Sequence, residues 1–251
     1  MTQRHLRPKC ETYLKYLFKK TDEMQSLHQI LPGRSSSSAD LLQFQKELCS
    51  VATGEGYKFA GVKLVPPSHE IVKGFQGSEI LMSPVFSRPS IDKKFSIKHL
   101  NINGVEPGIC LFTNRSSGRW EYSSLSPALE LTGSRFPFFA SSLNEYHSDL
   151  CGNVNVITGK RLFVKPSESD LTYHFVVSRD GEPVSVGFGK LFETNILKTT
   201  EAVRSFVNSL GVTFEDDHFV LFSGVGPKTN ASPGHYTMNW GKFGTTSCTL
   251  L

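Results

Sequence analysis

No stretch of eighteen consecutive apolar residues occurs among the 251 residues, which excludes a membrane-spanning helix of ordinary length. The chain opens Met1-Thr2-Gln3-Arg4-His5-Leu6-Arg7-Pro8 with no apolar stretch behind the charges. A secretory leader is therefore not expected, and the cytoplasm is the expected compartment. Cysteine is scarce: Cys10, Cys49, Cys110, Cys151 and Cys248 are five in number, widely scattered, and without a Cys-x-x-Cys spacing. That argues against a zinc ribbon, a redox couple or a disulfide framework. No Gly-x-Ser-x-Gly elbow is present, and no two histidines stand at metal-ligand spacing, so neither an acyl hydrolase nor a histidine metal site is indicated. Thr53-Gly54-Glu55-Gly56 lacks the lysine and hydroxyl residue of a phosphate-binding loop. No catalytic, cofactor or metal residue is assigned on these grounds. Charge of one sign is also lacking: 27 Lys+Arg against 23 Asp+Glu leave +4, too little to imply nucleic acid.

What is present is apolar and aromatic enough to fold, with nineteen phenylalanines and 38% hydrophobic residues. From Pro8 to Leu31 no internal breaker interrupts a three-four spacing of Cys10, Leu14, Leu17, Met24 and Leu31, which predicts an amphipathic helix. Its stripe is expected to meet a β domain or a second copy of the chain. Residues 32–40, with Gly33-Arg34 and four serines, read as a linker inside an N-terminal helical region, 1–56. Asp40 is placed to cap a second helix running to about Val51.

Beyond Tyr57 the texture becomes short β-branched and aromatic runs between turn residues. Strands are expected at Tyr57–Val65, Glu79–Phe86, Phe95–Leu100, Gly108–Thr113, Val154–Ile157, Arg161–Val164 and Val212–Ser223. The clearest unit is Leu171–Phe188, where alternation on both sides of Asp180-Gly181 predicts a hairpin with Tyr173, Phe175, Val184 and Val186 buried. A third helix is expected over Thr199–Leu210, closed by Gly211. The fold class that follows is α+β and mostly β. It is a β-sandwich or open barrel over 57–223, with two N-terminal helices and one late helix packed against it, and an irregular tail over 224–251.

The ending Ser247-Cys248-Thr249-Leu250-Leu251 matches a prenylation box, in which a terminal leucine favours geranylgeranyl transfer to Cys248. Stable anchoring needs a second signal, and Arg4, Arg7, Lys9, Lys15, Lys19 and Lys20 offer an attraction to anionic lipid. The function expected on this basis is a non-enzymatic, cytosol-facing interaction module tethered peripherally to a membrane, with an unidentified protein partner. Oligomerisation through the helix at 8–31 is an accompanying expectation.

Two alternatives compete. Glu145-Tyr146-His147-Ser148-Asp149-Leu150-Cys151 concentrates acid, imidazole and thiol, as a small hydrolase or transferase needs, provided that the fold makes them converge. Lys93, Lys94, Lys98, Lys160 and Arg161, interleaved with Phe95 and Phe163, resemble a surface for RNA or single-stranded DNA in miniature, although an edge strand protected by lysine is the favoured account of them. Ser68-His69-Glu70 sets another histidine beside an acid, and Glu215-Asp216-Asp217 reads as a solvated turn.

Overall fold

The structure, a computed structural model, describes residues 3–18, 32, 36–87, 93–114, 121–135, 140–163, 172–190 and 196–251. The elements begin with α1 (Gln3–Phe18), α2 (Ser38–Gly54), β1 (Lys58–Val65), α3 (Glu70–Gly74), β2 (Leu81–Ser87), β3 (Lys94–Phe95), α4 (Ile97–Leu100), β4 (Ile102–Asn114) and β5 (Glu121–Gly133). They continue with α5 (Leu143–Ser148), β6 (Asn153–Thr158), β7 (Thr172–Arg179), β8 (Glu182–Lys190), α6 (Ile196–Leu210), β9 (Phe219–Phe222), β10 (Thr229–Asn230), β11 (Gly234–Asn239) and β12 (Thr245–Leu250). The larger sheet has the order β2-β1-β9-β4-β5-β6, with β10 also on β4, and curls into a half-barrel. The smaller sheet has the order β3-β12-β11-β7-β8.

Alternation along the strands divides the larger sheet into two unlike faces. Val62, Leu64, Leu111, Leu129 and Val220 turn one face into a shared core with Phe175, Tyr236, Met238 and Trp240 of the smaller sheet and its flank, and with Val203 and Val207 of α6. The residues between them, Lys63, Glu106 and Glu130, are buried on the opposite face. That face positions the site.

The mostly β expectation holds, with six α-helices rather than three among the described residues. α2 begins earlier than expected: Ser37 is its N-cap, and Asp40 is the third residue of a reciprocal capping box. α1 begins at Gln3, so Pro8 lies inside it. Of the expected helix 8–31, residues 19–31, with Met24 and Leu31, lie outside the described residues. Leu14 and Leu17 are buried with Phe44 and Leu48 of α2, so this part of the stripe is covered by its own chain rather than by a second copy. Phe95–Leu100 is not one strand: after Phe95, Ser96 caps the short helix α4. Of the expected strand Arg161–Val164, Val164 lies outside the described residues, and residues 161–163 contribute an isolated bridge from Leu162 to Leu125. β5, thirteen residues long, falls where no strand was expected.

The hairpin forms, with Asp180 and Gly181 at φ 52° and 89° in the turn. Its register shifts between Val177 and Ser178, since Ser178 pairs with Pro183 while Val177 pairs with Ser185. This bulge reverses the parity of β8. Phe175 is buried as expected and Val184 half-buried, but Val186 is 58% exposed, and Ser185 takes the inward position. Tyr173's side chain lies outside the described residues.

The C-terminal segment is the largest departure. Residues 224–251 were expected to be irregular, yet they hold β10, β11 and β12, and β12 lies between β3 and β11. Cys248 pairs with Tyr236 and is 2% exposed. Burial pushes its thiol up to about 12. A thiol inside a sheet cannot reach a prenyltransferase, and cleavage after it would remove Thr249 and Leu250 from their pairing with Lys94 and Phe95. The lipidation of Cys248 is thereby corrected. The membrane tether falls with it, together with the second-signal role given to the basic residues from Arg4 to Lys20. Among them, Arg7 pairs with Glu11 one turn along the helix.

Candidate active-site cleft

Glu106 of β4 and Glu130 of β5 are direct cross-strand partners, so their carboxylates leave the same face. Two like charges in a buried position need compensation. Lys63 of β1 supplies it: Nζ donates to Glu130 Oε1 at 2.7 Å and to the Cys151 carbonyl at 2.8 Å. Glu130 also accepts from Asn153 Nδ2 on Oε1 at 2.8 Å and from Ser223 Oγ on Oε2 at 2.7 Å. Burial pushes Lys63 towards losing its proton, but the carboxylates of Glu130 and Glu106 outweigh this and hold the ammonium above its ordinary value.

Glu106 is held differently. Its Oε2 lies 3.5 Å from His69 Nε2 and 3.2 Å from Ser223 Oγ. Among the described residues no protein donor is directed at Oε1. His69 caps α3, where Nδ1 accepts the Ile71 amide at 3.3 Å, so the ring proton belongs on Nε2, facing Glu106. Burial favours the protonated carboxyl, yet the bond from His69 and the charges of Lys63 and Lys228 outweigh it and bring Glu106 down from 4.5 to about 2.

The turn after α5 completes the frame. Leu150 and Cys151 both have positive φ, 51° and 52°, a conformation costing about 1–3 kcal/mol for each non-glycine residue. Arg135 clamps it, donating from Nε to Asp149 Oδ1 at 2.6 Å, from its backbone amide to Oδ2 at 3.0 Å and from Nη2 to the Asp149 carbonyl at 2.7 Å. Tyr13 of α1 adds a bond to Asp149 Oδ1 at 3.1 Å. The strained turn aims the Cys151 carbonyl at Lys63, and the N-terminal helix helps to hold it.

A cavity of about 320 Å³ opens onto this frame, with Ile71, Phe75 and Tyr146 on its apolar side and Asn103, Glu106, Thr132 and Lys228 on its polar side. A second, of about 190 Å³, is lined by Ser68, His69, Glu106, Pro227 and Lys228. Glu106 and Lys228 belong to both walls. Lys228 Nζ donates to Asn103 Oδ1 at 2.9 Å, and the buried Thr132 hydroxyl has no protein partner among the described residues.

Of the residues singled out from sequence, His69 lies here. The Glu145–Cys151 segment reaches the cavity through Tyr146, Asp149 and Cys151, but its reactive groups diverge. His147 Nε2 lies 2.7 Å from the Met82 carbonyl, Glu145 accepts from Ser141, Asp149 holds Arg135, and burial pushes the Cys151 thiol up to about 12. No cysteine–histidine dyad forms. The aromatic-basic surface assembles only in part: Phe163 is 84% exposed, but Phe95 is in the core, and the Arg161 guanidinium lies 3.7 Å from the Phe112 ring centroid while donating to the Asp216 and Asp217 carbonyls. Glu215, Asp216 and Asp217 are exposed. Sequence reading missed Lys63, Glu106, Glu130, Ser223 and Lys228. The available signal was a lone charge flanked by apolar residues within a strand, as in Val62-Lys63-Leu64 and Leu129-Glu130-Leu131.

No protein-family profile matches the chain. The structure of 4-oxalocrotonate decarboxylase from Pseudomonas putida G7 complexed with calcium and acetate superposes with a TM-score of 0.77 over 100% of this chain and 99% of that one, at 16% identity. The fold is that of this decarboxylase. The same enzyme complexed with magnesium and adipate gives the same TM-score and coverage, at 15% identity. In sequence, a protein of Trypanosoma brucei brucei (strain 927/4 GUTat10.1) named REH2-associated factor 2 is 28% identical over 251 residues, 96% of this chain and 94% of that protein. The expectation of a non-enzymatic interaction module is corrected by an enzyme's fold carrying a cleft with convergent charged groups.

Proposed function

We propose that the chain is a small-molecule enzyme that binds a small carboxylic acid in this cleft and moves a proton at a carbon beside the ligand's carbonyl. The observation that carries this reading is the common wall of the two cavities, where Glu106, with its free oxygen, and Lys228 border a larger, mostly apolar space on one side and a smaller polar one on the other. Acetate and adipate in the decarboxylase structures support a carboxylate as the ligand group. In this reading Lys228 and the Thr132 hydroxyl receive the ligand carboxylate, while Phe75, Ile71 and Tyr146 cover its carbon chain and exclude water.

Glu106 takes the proton from the ligand carbon, leaving an enolate whose charge faces Lys228, and returns it to the ligand at the end of the step. At its resting value Glu106 is a weak base. A bound carboxylate neutralises Lys228 and adds its own negative charge, and both changes raise the proton affinity of Glu106 towards the range useful at neutral pH. His69, donating to Oε2, fixes the carboxylate so that Oε1 faces the ligand.

Calorimetric titration with adipate tests the binding half: binding by the wild type and its loss in Lys228→Ala, with an unchanged melting temperature, is the expected result. Failure of acetate, adipate and their 2-oxo counterparts to bind contradicts the reading.

The name of the trypanosome protein supports a further element, a protein partner for this chain. The surface that favours it is the outer edge of β8, unpaired among the described residues, where Val186 and Phe188 are 58% and 79% exposed. Phe188→Asp is expected to abolish association with an REH2-like partner while leaving acid binding intact; unchanged association contradicts this assignment.

A further inference from the structure

The decarboxylase structures hold calcium and magnesium, which raises the question of whether the buried carboxylates of this chain suit a divalent ion. Such an ion takes six or more oxygen ligands and prefers ionised carboxylates with free lone pairs. Glu130 offers at most one, since three internal donors, Lys63 and Asn153 on Oε1 and Ser223 on Oε2, take three of its roughly four lone-pair sites at 2.7–2.8 Å. Glu106 alone keeps an unengaged oxygen. Of the neighbouring same-face positions on the two strands, Gly104, Gly108 and Ala128 bring no side-chain donor, and Thr132 brings one neutral hydroxyl, too little to complete the shell of a divalent ion. Among the described residues, the only grouping of three potential ligands is Glu215, Asp217 and His218, which lies at the surface away from this cleft. There His218 Nδ1 is already occupied by the Glu215 amide.

We propose that the Lys63 ammonium is the resident cation of the Glu106–Glu130 site, standing where a divalent ion would otherwise balance the paired carboxylates, and that the site takes no metal. The ammonium is fully buried, in contact with one carboxylate and one carbonyl, and brings the charge that the two strands require. A purely structural ion pair would look the same in the resting protein, so the test depends on what replaces the lysine. The inference deepens the proposed active-site reading by naming its cation. It is read by ion binding and melting temperature rather than by turnover, so its failure is distinguishable from a failure to bind acids.

The experiment uses the full chain carrying Asp217→Asn, which removes the surface cluster from consideration. Titration with magnesium, calcium and manganese is expected to show no binding and no change in melting temperature, before or after treatment with a chelator. Lys63→Met in the same background is expected to melt lower and to regain part of the loss on addition of magnesium or calcium. A Lys63→Met protein that folds and gains nothing from either ion overturns the cation role. Stoichiometric manganese binding with lysine in place, abolished by Glu106→Gln, overturns the proposal outright and decides the matter even if Lys63→Met does not fold.

Discussion

Lys63 and Glu130 show how charge is kept inside a sheet. A charge without its partner in a position this buried is far more costly than the pair, because neither water nor another group replaces the lost contact. Lys63→Met is therefore expected to cost about 3–5 kcal/mol in urea unfolding, and the double change Lys63→Met with Glu130→Met is expected to recover much of that loss. A double variant as unstable as the sum of the single changes contradicts the pairing. Glu106 adds a pH dependence of defined sign. Its folded value, about 2, lies below the ordinary 4.5, so the folded protein binds this proton less readily than the unfolded chain. The stabilisation is complete above 4.5 and is lost as pH falls from there towards 2. The acid limb of the stability profile is expected to be shallower in Glu106→Gln than in the wild type; parallel limbs argue against it.

Among the elements, α2, α6 and the β7–β8 hairpin were legible because each carries its own local instructions: a periodic apolar face behind the capping residue Asp40, a closing glycine, and an Asp180-Gly181 turn. β5 was not legible, since Pro127 and a run of serines disguise a central strand that long-range pairing with β4 and β6 imposes. Because Glu130 lies on β5, the site was hidden along with the strand. Val186 was misassigned for a related reason, as a one-residue bulge that alternation does not reveal turned it outwards. The same bulge places Gly187 beneath the Phe175 ring, where an added Cβ would approach ring carbons to 2.2 Å. Gly187→Ala is accordingly expected to destabilise the protein by about 1–3 kcal/mol, measured by chemical denaturation. An unchanged midpoint would show that the ring is free to move aside.

For the whole molecule, the two sheets and α6 close around one core of which the C-terminal strand is part, and the N-terminal helices build a second cluster against Phe86 and Leu210. All five cysteines are buried. A thiol reagent is expected to modify none of them in the native protein and all of them after unfolding, and rapid native labelling of Cys248 would return the C-terminus to the status of a free tail. The buried strand and the cleft together turn the functional question inwards, towards the small ligand proposed to bind between Lys228 and Glu106. The most direct test is proton exchange at carbon: 2-oxoadipate incubated with the protein in deuterium oxide and followed by nuclear magnetic resonance. The account predicts enzyme-dependent loss of the proton signal at the carbon beside the carbonyl, abolished by Glu106→Gln and weakened by Lys228→Ala. Exchange no faster than in buffer, under conditions where the acid is shown to bind, would contradict it.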